Sequence, residues 1–416
     1  AQKGRALVLP GWVQGPRDVA RGQVRQRKAR ISEEIEALQR QIASLAEPYH
    51  VAESLADISR LEWFMTNVTE LPVSENFAWV TGWTSDMDGG AIQRALDDSG
   101  VSAIVRYPPA PREVRPPMVL QNPWWARPFE LFAGMIGTPD DNEADPSLLV
   151  AILVPLLFGY MFGDVGHGFV LLLSGLLLQR RWPLLRILVV NGGAAMVFGL
   201  VFGSFFGRED IIPALWLHPL EQPLPVMLVP LVGGVVILLL GLLLNAAESW
   251  WRGEFGHWLR VEAAVLCMYL SLLAALFHHA SLMITGLCLV WYLAGSLHGV
   301  QSGHLARLGA ALGTLVESIM QLLINTISFV RVGAFALAHG GLSLAFVIMA
   351  GATENVVAGF LIMLLGNVIV ILLEGLVVTI QTTRLVLFEF FIRFLRGSGR
   401  MFRPLSAPRE TVDLKE

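Results

Sequence analysis

From residue 147 to about residue 395 the sequence is a succession of apolar runs, broken only by short polar or Gly/Pro-rich segments. No other feature constrains the fold as much. Hydrocarbon offers no water to backbone N–H and C=O groups, so such a chain must close its hydrogen bonds within helices. The runs fall near 148–162, 165–180, 185–206, 225–247, 260–279, 281–297, 311–350 and 355–395. About 20 helical residues cross a bilayer. The last two runs exceed one perpendicular crossing and are expected to tilt, kink or extend beyond the membrane. The expected fold class is an α-helical polytopic membrane protein with eight transmembrane helices, the last two long and tilted.

Charge divides the chain. Only 15% of residues are charged, against about 25% in soluble proteins, and most precede residue 147. Residues 1–146 read as a cytosolic N-terminal part, 147–397 as the transmembrane domain and 398–416 as a cytosolic C-terminal tail. Within the first part, Val24, Ile31, Ile35, Leu38, Ile42 and Leu45 keep a 3-4 spacing among charged residues, which predicts a coiled-coil helix over 18–49. An ordinary amphipathic helix on a globular lobe is the alternative. A small α/β lobe spans about 60–107, with strand, helix and strand over 76–107. A Pro-rich connector, 108–146, follows and carries Trp124 and Trp125 at the expected membrane interface. The net charge of −4 gives no nucleic-acid surface. Cys267 and Cys288 lie in apolar runs and read as small hydrophobes.

With eight crossings, Arg180, Arg181, Arg186, Arg252, Arg260, Arg307, Arg393, Arg396, Arg400 and Arg403 fall on one side, together with both termini. The positive-inside rule makes that side the cytoplasm. The loop 207–224 on the other side holds Glu209, Asp210, Glu221 and a single Arg.

The chemistry is concentrated in the last two runs. Arg331 stands in the middle of the seventh. An Arg at the centre of a membrane helix costs roughly 2.5–3.5 kcal/mol on insertion scales. At 100° per residue, and with Arg331 as zero, Glu317 lies at roughly 40°, Ser328 at 60°, Gln321 and His339 at 80°, and Asn325 and Ser343 at 120°. A polar stripe of this kind faces protein or a wet crevice. In the eighth run Asn367, Glu374 and Gln381 are spaced by seven, with Arg384 and Glu389 flanking them. Carboxylates and histidine pass protons along a hydrated path, whereas arginine keeps its proton and acts as a fixed charge. A structural ion pair, such as Glu374 with Arg384, is the plainer reading of any one of these charges.

A second cluster, FGYMFGDVGHG at 158–168, sets Asp164 and His167 among Gly163, Gly166 and other glycines. It predicts a tight turn or a close crossing of helices through small residues. Asp164 and His167 have metal-ligand chemistry but too few partners, so no metal site is expected. GLVFGSFFG, 199–207, reads as further close packing. The chain contains no phosphate-binding loop, zinc signature, Ser-His-Asp arrangement or dinucleotide fingerprint. No cofactor and no catalytic site are expected.

SFVRVGAFALAHGGLS (328–343), FGYMFGDVGHG, FGSFFG, EGLVVTIQTTRLVLFEFF (374–391) and FAWVTGWTS together resemble the membrane subunit a of rotary V-type ATPases, the 116 kDa subunit family, called subunit I in prokaryotic enzymes. The resemblance covers roughly 60–400. It implies a stator subunit whose two aqueous half-channels lie against a rotating proteolipid ring, with ATP hydrolysed or made in a separate soluble head. Arg331 matches the family's fixed charge, which forces the ring carboxylate to ionise. His339, Glu374 and Arg384 match its channel residues. The implied partners are the proteolipid c-ring, peripheral stalk subunits of E/G type, a central-stalk cap subunit of d/C type and membrane lipid. The coupled ion is a proton or sodium, and the implied location is a prokaryotic cell membrane. The family's cytosolic part has two coiled-coil strands around a distal lobe. Here only the returning strand is expected, which reads as a natural truncation or a fragment. A secondary ion-coupled transporter or channel is the competing class, and it should show internal repeats, none of which is evident.

Overall fold

The computed structural model describes residues 16–46, 50–68, 79–86, 88–108, 116–140, 142–298 and 304–404. It divides into two units, residues 1–84 with 403–416, and residues 85–402.

In the first unit, α1 (Arg17–Ala46) and α2 (Val51–Val68) are helical. On α1, Val24, Ile31, Ile35 and Leu38 are 44–52% exposed, so the apolar seam is open along the helix. The side chains of Ile42 and Leu45 lie outside those described.

The expected strand–helix–strand lobe is corrected. Its helix is present as α3 (Gly90–Ser99), held between Gly89 and Gly100, both left-handed at φ 68° and 67°. Residues 79–84 and 101–107 form no strand, and 76–78 lie outside the described residues. A strand exists through its ladder, and among the described residues neither segment has a paired neighbour. Val101, Ile104 and Tyr107 are left 56–88% exposed. Among the described residues the pairing of named strands is elsewhere: β1 (Pro117–Met118) runs parallel to β2 (Arg400–Met401).

That pair belongs to a seam joining the connector to the C-terminal end. The connector contributes α4 (Glu130–Ile136) and buried Ala126, Phe129 and Phe132, while Trp124 remains 75% exposed. Gly397 N donates to Glu143 at 3.3 Å, and Thr138 bridges Ser398 and Gly399. Residues 398–402, expected in a tail, are therefore bound to the connector, and 405–416 lie outside the described residues.

The apolar runs are helical: α5 (Ser147–Met161), α6 (Val165–Leu178), α7 (Arg186–Phe202), α8 (Pro223–Trp251), α9 (Phe255–Arg260), α10 (Glu262–Ala275), α11 (Ser281–Leu297), α12 (His304–Ser328), α13 (Val330–Gly351), α14 (Val356–Ile369) and α15 (Gly375–Arg384). Among the described residues, five helical stretches are long and apolar enough to cross a membrane: 183–202, 223–251, 255–275, 306–351 and 356–393. Three more, α5, α6 and α11, are apolar but shorter. Their ends have local causes. Pro223 starts α8 at a position where its missing N–H costs nothing. Asn355 caps α14 by accepting from Val357 N at 2.9 Å. Gly203 ends α7 at φ 71°.

The 46-residue stretch is not one regular helix. It tightens at Phe329, between α12 and α13, where Val332 N bonds back to Phe329 O and Phe329 N to Thr326 O. The Phe329 ring lies against Gly234 of α8, where a Cβ would fall 2.3 Å from it. The last stretch also departs from a plain α-helix: Val370–Glu374 and Leu385–Phe390 are π-helical. Such wide turns concentrate at functional sites.

The main core gathers α5, α7, α8, α13 and the last stretch around Phe158, Phe162, Phe202, Phe329 and Phe390. A smaller core joins α10, α11 and α12 through Met268, Tyr292 and Leu315, with free Cys288 buried in it. The α6/α7 pair crosses closely. A Cβ on Gly199 would fall 2.3 Å from Val165 N, and one on Gly192 2.6 Å from Leu172 N. Helix backbones touch there because glycine leaves nothing between them.

Candidate functional site

Two polar clusters lie between α13 and the last helical stretch. At the first, Arg331 donates to Gln381 Oε1 at 2.8 Å and to Ser328 Oγ, and its guanidinium lies 3.7 Å from Glu389 Oε1. Ser328 Oγ in turn donates to Glu389 Oε1 at 2.8 Å. Local geometry explains the grouping. The tightened turn at Phe329 sets Ser328 and Arg331 side by side, three residues apart. The π-helical turn at 385–390 wraps more residues per turn and brings Glu389 round to the face that carries Gln381. The Glu389 carboxyl is 6% exposed and the Arg331 side chain 22%. The planar guanidinium fork aims one nitrogen at Gln381 and the other at Ser328 while keeping its charge beside Glu389.

A cavity of about 430 Å³ opens beside this cluster, lined by Ile324, Asn325, Ser328, Arg384, Phe388 and Glu389. Arg384 is exposed on its wall and makes no ion pair with Glu374. Asn325, with its amide turned so that both ends pair, accepts from Arg393 at 2.6 Å and donates to Gln321 O at 3.2 Å. The sequence reading put Arg393 among the loop charges. Its position four residues after Glu389 was the available signal, since i and i+4 share a helix face.

The second cluster lies eight residues further along α13. His339 Nδ1 meets Glu374 Oε2 at 2.8 Å, and both residues are buried. Asn367, one turn-pair earlier on the last stretch, meets His167 Nε2 through its Oδ1 at 2.7 Å. The seven-residue spacing thus delivers Asn367, Glu374 and Gln381 to His167, His339 and Arg331. Ser343 is buried against Gly207. Glu317 and Gln321 remain exposed and outside both clusters.

Asp164 organises the turn before α6. Its Oδ1 accepts from His167 N at 2.9 Å and Phe206 N at 3.0 Å, and its Oδ2 from Ser204 Oγ at 2.7 Å and Gly207 N at 2.9 Å. Gly163 and Gly166 sit under Phe202 and Phe206, with no room for a Cβ. The FGDVGHG and FGSFFG patches are therefore one interlocked turn. The sequence counted too few partners here for a metal. Folding adds His339, so that Asp164, His167 and His339 offer ligand atoms within 4.8 Å of one another. Both Asp164 oxygens are nevertheless already committed to protein donors, two each.

Residues 18–186 match the V-type ATPase 116kDa subunit family. The A-type ATP synthase subunit I of Thermococcus kodakarensis is 27% identical over 81% of this chain and 55% of its own length. That of Pyrococcus horikoshii is 28% identical over 80% of this chain and 54% of its own length. That of Aeropyrum pernix is 27% identical over 95% and 67%. The chain spans about half the length of the first two relatives. With its long apolar helices, the chain is thus similar to the A-type ATP synthase subunit I proteins along most of its length, and its residues 18–186 match the V-type ATPase 116kDa subunit family.

Proposed function

We propose that the chain is the membrane stator subunit of a rotary V/A-type ATPase, forming the half-channels through which protons or sodium ions reach and leave a rotating proteolipid ring. The observation that carries this reading is Arg331, a permanent cation near the middle of a 46-residue apolar helical stretch, held by Ser328, Gln381 and Glu389 on two elements. Such a charge, kept by neutral acceptors and one carboxylate, retains attraction for a passing carboxylate. It favours the ionised form of that carboxylate and blocks direct ion passage between the two sides.

In this reading the cavity beside Glu389 and Arg384 belongs to one half-channel, and the His339–Glu374 pair to the other. The three shorter apolar helices also cross, giving eight crossings with both termini on the cytoplasmic side. ATP chemistry belongs to a separate soluble head. The peripheral stalks, the central-stalk cap subunit and lipid complete the set of partners.

The deciding experiment is ATP-driven acidification of vesicles carrying the assembled complex, wild type against Arg331→Gln, with ring co-purification as the control for assembly. Loss of acidification with assembly intact supports the reading, and retained acidification refutes it. A parallel run with sodium tests the ion.

A further inference from the structure

His167 belongs to a glycine-rich turn and is fully buried, yet its ring is not explained by packing. Asn367 Nδ2 donates to Met363 O at 2.8 Å, so the atom turned to His167 is the acceptor Oδ1. His167 Nε2 therefore carries hydrogen, and in the neutral ring Nδ1 is bare. Opposite it, His339 Nδ1 points at a carboxylate oxygen of Glu374 and carries hydrogen, which leaves Nε2 bare. Neither His167 Nδ1 nor His339 Nε2 has a hydrogen-bond partner, although both are buried. The two rings meet edge to face with centroids 5.4 Å apart, and a ring nitrogen of each lies within 4.8 Å of one of the other's. Two buried lone pairs on facing rings need a shared proton, a bridging water or a cation. The remaining titratable neighbour is Asp164, whose Oδ1 is 3.5 Å from His167 Nδ1. Its oxygens are filled by four donors, so it supplies a fixed counter-charge and is not a carrier.

We propose that His167 is the exit member of a two-imidazole proton relay, Glu374 to His339 to His167, that opens at Asn367 into the cavity between α6, the 205–211 loop and α14. That cavity measures about 520 Å³ and has Asn367 and Arg208 as its polar lining. The step balances as a proton hop that starts with Glu374 protonated and the hydrogen of His339 on Nε2. Glu374 gives its proton to His339 Nδ1, His339 passes its Nε2–H to His167 Nδ1, and His167 releases its Nε2–H to a water that takes the place of Asn367 Oδ1. Glu374 is then ionised against His339 Nδ1–H, the arrangement of the structure, both rings are neutral with hydrogen on Nδ1, and a turn of each ring returns the hydrogens to Nε2 before the next proton. The reverse sequence carries a proton inward. An imidazole suits this because it accepts on one nitrogen and releases from the other.

The inference rests on the proposed ion-translocating function, so the test separates the two. Acidification is measured for wild type, Arg331→Gln, His167→Gln and His167→Ala complexes that retain the ring. Glutamine keeps a donor towards Asn367 but cannot take up a proton. The expected result is a roughly hundredfold loss for His167→Gln, the size of a positioned proton-transfer group, with free imidazole restoring His167→Ala. Unchanged acidification in His167→Gln, alongside loss in Arg331→Gln, overturns the relay and leaves the motor reading intact. Retained acidification in Arg331→Gln overturns both. Should His167 variants fail to assemble, Asn367→Leu decides: slowed acidification supports the exit, and a wild-type rate overturns it. If zinc inhibits wild type, His167→Gln abolishes that inhibition and its own transport rate is unaltered, the cluster is a metal site and the relay is overturned.

Discussion

His339 and Glu374 stand 35 positions apart and meet through Nδ1 and Oε2 at 2.8 Å, both buried. The contact ties α13 to the π-helical turn at 370–374. A carboxylate taken out of water needs such a partner, because removing one member of a buried pair leaves the other uncompensated. The pair is therefore expected to act as a unit. In a double-mutant cycle of His339→Gln and Glu374→Gln, read as rates of ATP-driven transport, the coupling should be about 0.5–3 kcal/mol. Additive losses would show that the two residues act separately.

Arg331 donates to Gln381 and Ser328 and pairs its charge with Glu389. Lysine offers a compact point charge on a flexible stem and lacks the planar fork that aims separate nitrogens at Gln381 and Ser328. Arg331→Lys is expected to assemble with the ring and to lose transport by roughly tenfold or more, since a charged hydrogen bond contributes about 1.5–3 kcal/mol. Transport at the wild-type rate would mean that charge alone suffices.

Asp164 fills both oxygens with protein donors. In Asp164→Asn one acceptor becomes an NH₂ group facing N–H or O–H donors. The expected cost is about 1–3 kcal/mol, the penalty of leaving a buried donor unmet. It should appear as a lower midpoint of thermal unfolding in detergent. An unchanged midpoint would show that the turn is held by its glycine packing alone.

Gly199 lies against the backbone of α6, where a Cβ would come within 2.3 Å of Val165 N. Backbone cannot yield as a side-chain tip can, so Gly199→Ala should force α6 and α7 apart. Overpacking costs typically 1–3 kcal/mol. Gly193, where a Cβ meets nothing, is the matched control. Equal folded yields for the two alanine variants would contradict the close crossing.

The C-terminal seam makes a different prediction. Glu248 is fully buried on α8, and its Oε1 accepts Ala144 N at 3.1 Å, while Asn245 donates to Arg393 O at 3.0 Å. Glu248→Ala removes the acceptor and should loosen the connector. Limited proteolysis should then cut between residues 137 and 146 faster than in the wild type. No change in cutting would show that the seam holds without Glu248, through the strand pair, the Thr138 bridges and the Gly397–Glu143 bond.

Residue types and spacings alone determined the helical apolar runs, because backbone in hydrocarbon has no other way to satisfy itself. They also determined the common face of Asn367, Glu374 and Gln381, because seven residues return a helix almost to the same side. They misjudged the expected strands at 79–84 and 101–107, because a strand depends on an edge that the local sequence does not supply. The wheel drawn through 311–350 assumed one uniform helix, so it could not anticipate the tightened turn at Phe329 or the exposure of Glu317 and Gln321. Only the tertiary structure decided which groups meet across elements. It brought His167 of the glycine-rich turn to His339 and Asn367, and folded Arg393 back to Asn325. Those contacts join residues up to 200 positions apart. They arise from the packing of whole helices and from π-helical turns that shift which side chains face inward, neither of which a periodicity within one segment records.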